Sequence, residues 1–216
     1  VFGTASAMAI DGGAADAILA FLAAHRLTLR YVANTHDHAD HTVGNRALLA
    51  GSGARLLGGE DLGAKRDIDL DGTAIQVIPT PGHTEDSRCF FIGHALISGD
   101  TLFNGTIGNC FSGDLEGFYR SIKRLMELPD ETLVYAGHDY VRDALAFARR
   151  LEPDNRDLND FGRRYNPAQV VSTLAEEKRI NPYFRFNEPG VVNLLVKRGL
   201  PRRTEWERWQ SLMSIE

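Results

Sequence analysis

The sequence predicts a layered α/β protein, on three observations. Apolar runs of strand length recur along its first two thirds: Tyr31-Val32-Ala33, Ile75-Gln76-Val77-Ile78, Ala95-Leu96-Ile97-Ser98 and Leu133-Val134-Tyr135-Ala136. Segments of helical period lie among them, and after residue 152 the helical pattern takes over. Each of the four runs stops at a cluster that holds His or Asp. Strands interspersed with helices, with chemistry at the strand ends, point to sheets covered by helices.

The elements follow in order. Residues 5–10 read as a strand closing on Asp11-Gly12-Gly13. Ala14 to His25 reads as a helix with an apolar stripe of Ile18, Leu19, Phe21 and Leu22. A strand at 31–35 and a helix over 42–50 come next. Arg55 to Gly58 and Ile68 to Leu70 are short strands, and Ala74 to Pro79 and Cys89 to Ile92 are stronger ones. The Gly93-His94 turn joins the last of these to a strand at 95–98. Asp114 can cap a helix running to Leu128, with Leu115, Phe118, Ile122, Leu125 and Met126 as its apolar face. A strand at 132–136 and a helix over 141–151 complete a first unit, residues 1–152. Glu152-Pro153-Asp154-Asn155 marks a boundary. Residues 153–216 then read as a helical appendage with helices at 156–164, 167–179, 188–198 and 203–213. Trp206 and Trp209 are its expected packing core.

The chain has 216 residues, 43% of them hydrophobic, which suffices for one ample core. Its formal net charge of −5 argues against a nucleic-acid binder that works by electrostatics. Cys89 and Cys110 are the only cysteines, too few for a disulfide framework and in keeping with a reducing cytoplasm. No apolar run approaches the roughly 20 residues of a membrane span. The expected partner is therefore a small molecule, with neither nucleic acid nor membrane. The sequence starts at Val1 and enters a strand almost at once, so a first strand or two is expected upstream. Gly105-Thr106-Ile107-Gly108 lacks the Lys-Ser/Thr end of a phosphate loop.

The densest chemistry is Thr35-His36-Asp37-His38-Ala39-Asp40-His41, three imidazoles and two carboxylates in seven residues. Packing alone calls for nothing of the kind. Further runs end in Thr80-Pro81-Gly82-His83, Gly99-Asp100 and Gly137-His138-Asp139-Tyr140. Five of the seven histidines thus sit at strand ends; His25 and His94 do not. Glycine at these ends permits the sharp turn that aims a side chain back over the sheet edge. Neutral imidazole and carboxylate suit zinc, iron and manganese alike.

His36-Asp37-His38-Ala39-Asp40-His41, followed by His83, Asp100 and His138, resembles the metallo-β-lactamase fold hydrolases. The resemblance implies an αββα sandwich with metals at one edge, and Asp11 fits the family's structural aspartate. Within that superfamily the chain is most similar to glyoxalase II, the hydroxyacylglutathione hydrolases. Gly99-Asp100-Thr101-Leu102-Phe103, Gly137-His138-Asp139-Tyr140, Phe147 to Asn155 and Asn181-Pro182-Tyr183-Phe184-Arg185 carry that likeness. It implies two divalent metal ions per chain, zinc foremost, with iron or manganese also accommodated. His36, His38 and His83 would hold the first, Asp40, His41 and His138 the second, and Asp100 would bridge them. A hydroxide shared by the pair would attack the thioester carbon of an S-lactoylglutathione-type substrate, with Asp40 orienting it as the catalytic carboxylate. Asp37, Thr84 and Ser98 are candidates for fixing the imidazoles. Tyr140, Asn109 and Arg202 are candidate substrate contacts, Arg202 as part of the basic stretch Lys197, Arg198, Arg202, Arg203 and Arg208.

One departure matters. The family usually carries a cation and a tyrosine in the segment that here reads Gly108-Asn109-Cys110-Phe111. Asn109 and Phe111 stand in their places, so glutathione should be held weakly. The competing reading is a persulfide dioxygenase with a single iron on His36, His38 and Asp100. Hydrolysis of another thioester or a lactone on the same fold is a further alternative. The Asn-Pro-Tyr segment of the appendage speaks against the dioxygenase, and the complete ligand set speaks against a non-catalytic module.

Overall fold

The computed structural model describes residues 1–59, 61–63 and 67–215. The chain opens with β1 (Ser6–Ile10), α1 (Ala15–His25), β2 (Thr28–Ala33), the single turn α2 (Ala39–Thr42), α3 (Asn45–Ser52) and β3 (Arg55–Leu56). Four strands follow: β4 (Ile68–Leu70), β5 (Thr73–Pro79), β6 (Arg88–Ile92) and β7 (Ala95–Gly99). A small hairpin, β8 (Leu102–Phe103) and β9 (Thr106–Ile107), leads to α4 (Leu115–Met126), β10 (Leu133–Ala136) and α5 (Val141–Leu151). The last part holds α6 (Asp157–Arg164), β11 (Ser172–Thr173), α7 (Leu174–Ile180), α8 (Pro189–Lys197) and α9 (Glu205–Met213).

Two sheets face each other. One has the order β1-β2-β3 and is parallel throughout; the other has the order β11-β10-β7-β6-β5-β4 and is mixed. Period-two alternation sorts their side chains. Met8, Ile75, Val77 and Phe90 fill the space between the sheets. Ala7, Ala9, Leu29 and Val32 face outward onto Leu22 of α1 and Leu48 of α3. Cys89, Leu96 and Val134 face the other way, onto Phe118, Ile122 and Leu125 of α4 and Phe147 of α5. This is the αββα arrangement. Both sheets are buried on both faces, so their strands read as near-continuous apolar runs.

The topology gathers the strand ends. β1 and β2 are parallel, as are β7 and β10, and β5 is antiparallel to β6, which is antiparallel to β7. Strands β1, β2, β5, β7 and β10 therefore all point their C-terminal ends at one edge.

Residues beyond 152 pack into the same core as the rest. Tyr183, Phe186, Val191, Trp209 and Leu212 are buried in one cluster with Phe118, Ile122, Leu125 and Phe147. β11 adds an antiparallel strand beside β10. Arg185 donates to both oxygens of Glu152, at 2.7 and 2.9 Å. Trp209 is fully buried, and Trp206 stacks on it half-buried, with ring centroids 6.0 Å apart.

Several expected elements shift, each for a local reason. The strand placed at 31–35 runs over Thr28–Ala33 instead, so Thr35 lies in the loop beyond it. The helix placed at 42–50 is split at Gly44, where a Cβ would sit 2.0 Å from the Gly12 carbonyl oxygen. The helix placed at 167–179 begins only at Leu174. Thr173 caps it, and Glu176 closes a capping box. The β8–β9 hairpin has strands of two residues and left no periodic trace. Phe21, placed in the stripe of α1, is 40% exposed and stacks on His25 at the surface.

Candidate metal centre

Each strand end delivers one part of the site. β2 leads through Asn34 and Thr35 to His36, His38, Asp40 and His41; β5 leads to His83, β7 to Asp100 and β10 to His138. Close approach requires glycine at two of these turns. Gly99 adopts φ +50°, and a Cβ there would meet the Thr35 hydroxyl at 2.3 Å. A Cβ on Gly137 would lie 2.3 Å from Asp100 Oδ1 and 2.7 Å from His41 Cε1.

The side chains converge in three overlapping sets: His36, His38 and His83; His36, His41 and Asp100; and Asp40, His41 and His138. His36 Nε2 and His83 Nε2 lie 2.9 and 3.2 Å from His38 Nδ1. His138 Nε2 lies 3.1 Å from Asp40 Oδ2. The Asp100 carboxylate stands between the first set and the last. Its Oδ1 is 3.2 Å from His41 Nε2, and its Oδ2 is 3.6 Å from His83 Nε2 and 3.5 Å from His138 Nε2.

Asp11 anchors the imidazoles from below. His41 Nδ1 and the Thr35 hydroxyl both donate to Asp11 Oδ2, at 2.8 and 2.7 Å, and the Thr35 amide donates to Oδ1 at 2.8 Å. Asp11 has φ +50°, a left-handed conformation that aspartate tolerates better than most residues. The Thr35 hydroxyl oxygen also lies 3.1 Å from His36 Nδ1, and His83 Nδ1 donates to the Asn109 carbonyl at 2.9 Å. Nδ1 is thus occupied on three imidazoles, which turns their Nε2 lone pairs into the site. Asp37 is exposed and takes no part in this support. Thr84 donates to Asp86, and Ser98 donates to the carbonyls of Leu102 and Tyr135. Those two hydroxyls brace turns rather than ligands.

The donor set fits divalent cations, as the buried atoms themselves show. His41 Nε2 and Asp100 Oδ1 are buried without a hydrogen-bond partner. A bare imidazole nitrogen facing a carboxylate oxygen is unfavourable unless positive charge lies between them. Burial, reinforced by His41, lowers the pKa of His36 to about 4, leaving it neutral as a ligand must be. Burial also lowers that of His83. Burial opposes charge on His41 too, but Asp100 and Asp11 outweigh it and raise its pKa to about 10. Burial would raise the Asp100 carboxyl, yet His41 and the other imidazoles hold it below the usual range. The centre calls for positive charge, which protons or metals can supply.

Comparison with known proteins agrees with this geometry. Residues 59–138 match the model of the metallo-beta-lactamase superfamily, and residues 139–212 match that of the hydroxyacylglutathione hydrolase C-terminus. A hydroxyacylglutathione hydrolase from Chromohalobacter salexigens is 35% identical over 88% of this chain and 82% of its own length. One from Pseudoalteromonas translucida is 33% identical over 97% of this chain and 88% of its own. The chain belongs to the hydroxyacylglutathione hydrolase family. Among solved structures, ETHE1 from Myxococcus xanthus superposes with a TM-score of 0.69 at 28% identity, covering all of this chain and 84% of its own. The family and the His/Asp clusters together make this protein a metal-dependent hydrolase. Among the described residues no helix is long and apolar enough to cross a membrane.

Around the centre the three expected substrate residues part company. Tyr140 follows His138, is 45% exposed, and lies with its ring 5.5 Å from that imidazole and 5.0 Å from Phe103. Asn109 faces the same cleft, but its carbonyl rather than its side chain supports the centre. Arg202 lies between α8 and α9, donates to the Leu200 carbonyl, and does not line that cleft. Phe111 stands over the first ligand set, 5.8 Å from His38 and 5.2 Å from His83. Glu177 carries no motif in the sequence. It is fully buried and joins α7 to the β8–β9 hairpin through the Gly105 amide. Its position three residues after Leu174 and three before Ile180, on an apolar helix face, was the available signal.

Proposed function

We propose that this protein hydrolyses a thioester of the S-lactoylglutathione type at a dinuclear centre. His36, His38 and His83 would hold one ion, Asp40, His41 and His138 the other, and Asp100 would be shared. The observation that carries the reading is the Asp100 carboxylate, set between two imidazole groups with Oδ1 and His41 Nε2 left bare. When bound, two divalent cations supply Lewis acidity, which acidifies a shared water and polarises an acyl carbonyl. The donor chemistry favours zinc, and iron or manganese would also suit it.

The chain's own residues do the rest. Asp40 has a side chain 59% exposed beside His138, so it can also accept a hydrogen bond from the attacking water and orient it. Asp11 and Thr35 fix the tautomers of His41 and His36, so their orientation is set before substrate arrives. Phe111, itself 66% exposed, stands edge-on to the His38–His83 pair at the mouth of the centre. A thiolate is a good leaving group, so no strong general acid is needed at Tyr140. Residues 1–152 would supply the centre and the cleft beside it, whose lining ends at Arg150. Residues 153–216, expected as a substrate-region appendage, would act on that cleft by holding the β8–β9 hairpin through Glu177; Glu216 lies outside the described residues. Two complete ligand sets favour this reading over a mononuclear iron dioxygenase.

The test is metal analysis of the purified protein alongside a panel of thioesters. Close to two ions per chain and turnover of S-lactoylglutathione are expected. A single iron, with no activity gained when more metal is added, would favour the dioxygenase.

A further inference from the structure

Phe103, Asn109, Tyr140, Asp143, Phe147 and Arg150 line a cleft of about 370 Å³ beside the metal centre. Its inner end is tied to the ligands, because Tyr140 packs near His138 and the Asn109 carbonyl holds His83. One wall is helix α5. Asp143 and Arg150 are the only charged side chains among the described residues that line the cleft, and both are exposed. They stand seven residues apart, so they share one face of α5 at a separation of about 10 Å along the axis. Among the described residues neither has an ion-pair partner. The Arg150 guanidinium is instead steadied over the Phe147 ring, 5.4 Å from its centroid.

The cleft therefore presents one anion and one cation at a fixed spacing between aromatic walls. An extended tripeptide spans roughly the same distance, at about 3.3–3.6 Å per residue. Position 109, nearer the centre, offers an amide where a cation could have stood, which leaves Arg150 as the carboxylate receptor. We propose that Asp143 and Arg150 are specificity-determining residues that hold the amine and a carboxylate of a short zwitterionic peptidyl thiol carrier. The thioester then lies at the Tyr140 end, against the centre. This inference rests on the thioesterase reading for its substrate, but the cleft can be tested apart from it.

The experiment uses the metal-loaded full chain. Calorimetry with S-methylglutathione, which carries both charges and no thioester, should show binding weakened about tenfold in Arg150→Ala and several-fold in Asp143→Asn, with Arg150→Lys recovering part of the loss. In kinetics, the preference for S-lactoylglutathione over the lactoyl thioester of uncharged N-acetylcysteamine should fall about tenfold in Arg150→Ala. The change should appear in KM more than in kcat. Binding of S-methylglutathione that is absent, or equal in all four proteins, overturns the assignment, as does an unchanged preference between the two thioesters. Failure of the unmodified protein to hydrolyse either thioester would instead sink the thioesterase reading, with calorimetry still deciding the cleft.

Discussion

Asp100 and Glu177 are both buried carboxylates, and the protein treats them in opposite ways. Asp100 lies among imidazoles that hold its pKa below the ordinary range in spite of burial. Glu177 has only neutral hydrogen-bond partners, and its charged neighbour, Glu176, is another carboxylate. The Gly105 amide donates to it at 3.0 and 3.1 Å, Asn181 Nδ2 donates at 2.9 Å, and Ser172 faces it. Burial there wins over those hydrogen bonds and raises its pKa to about 7. Burial alone therefore does not tell a reactive carboxylate from a structural one; the charge of its neighbours does. Asp100 is kept ionised and left with a bare oxygen, the state its proposed role as a shared ligand requires. Glu177 is stabilised in its protonated form and clasps two parts of the chain. The clasp still reaches the site, because the hairpin it holds carries Phe103 and runs on to Asn109.

The largest effect should come from breaking the ionised member. Asp100→Ala removes the one carboxylate both ligand sets share and leaves His41 Nε2 without a counterpart. Metal content should fall by about one ion per chain. The loss in kcat/KM should exceed the roughly 10–100-fold that follows removal of an outer partner such as Asp11. Metal analysis and kinetics on Asp100→Ala beside Asp11→Ala check the order. Full occupancy and rate in Asp100→Ala would remove its bridging role.

The clasp should respond to pH in the opposite sense from an ordinary carboxylate. The pKa of Glu177 rises from an unfolded value of 4.5 to about 7 on folding. The neutral form is thus favoured in the folded state. Its stabilisation is fully present below about pH 4.5 and is lost as pH rises through about 7, a span worth on the order of 3 kcal/mol. Glu177→Gln cannot ionise. Wild type should lose stability relative to Glu177→Gln between pH 5 and 8 in denaturant melts, a difference in which every other titrating group cancels. Glu177→Ala should cost about 1–3 kcal/mol at pH 5, because it orphans the Gly105 amide. Parallel pH profiles for wild type and Glu177→Gln would show that the carboxyl does not titrate there.

The two carboxylates also show what the sequence could and could not disclose. Asp100 was legible because a Gly-Asp pair at the end of an apolar run stood in line with three other such endings. The strands themselves were legible for a related reason: both faces of each sheet are buried, so the apolar runs were long and their ends sharp. Glu177 was not, since its partners are a main-chain amide and residues four or more positions away, and main-chain donors leave no mark in a sequence. The same holds for Asn109, whose carbonyl supports His83 although its side chain is what the sequence displays. The helical region reads as an appendage because strand patterns give way to short polar helices after residue 152, and sequence does not show how far it shares the core. Its large aromatics, Tyr183, Phe186 and Trp209, close the core of the second sheet, and only packing reveals that. Arg202 sits in a run of basic residues, where local sequence cannot say which way a long side chain turns.

The smallest effect sharpens the contrast between main chain and side chain at position 109. If the carbonyl alone supports His83, the side chain is free to change. Asn109→Lys should then leave metal content untouched, since the peptide group stays where the Gly108 turn puts it; a Cβ on Gly108 would sit 2.0 Å from the Asp100 carbonyl oxygen. The new ammonium would face the cleft and add a charge-assisted hydrogen bond to a substrate carboxylate, worth roughly 1.5–3 kcal/mol at most and less where solvent screens it. KM for S-lactoylglutathione should fall by up to about tenfold with kcat within about twofold, because such binding is felt equally in the ground state and the transition state. A fall in kcat together with lost metal would mean that the Asn109 side chain, and not its carbonyl, holds the loop against His83.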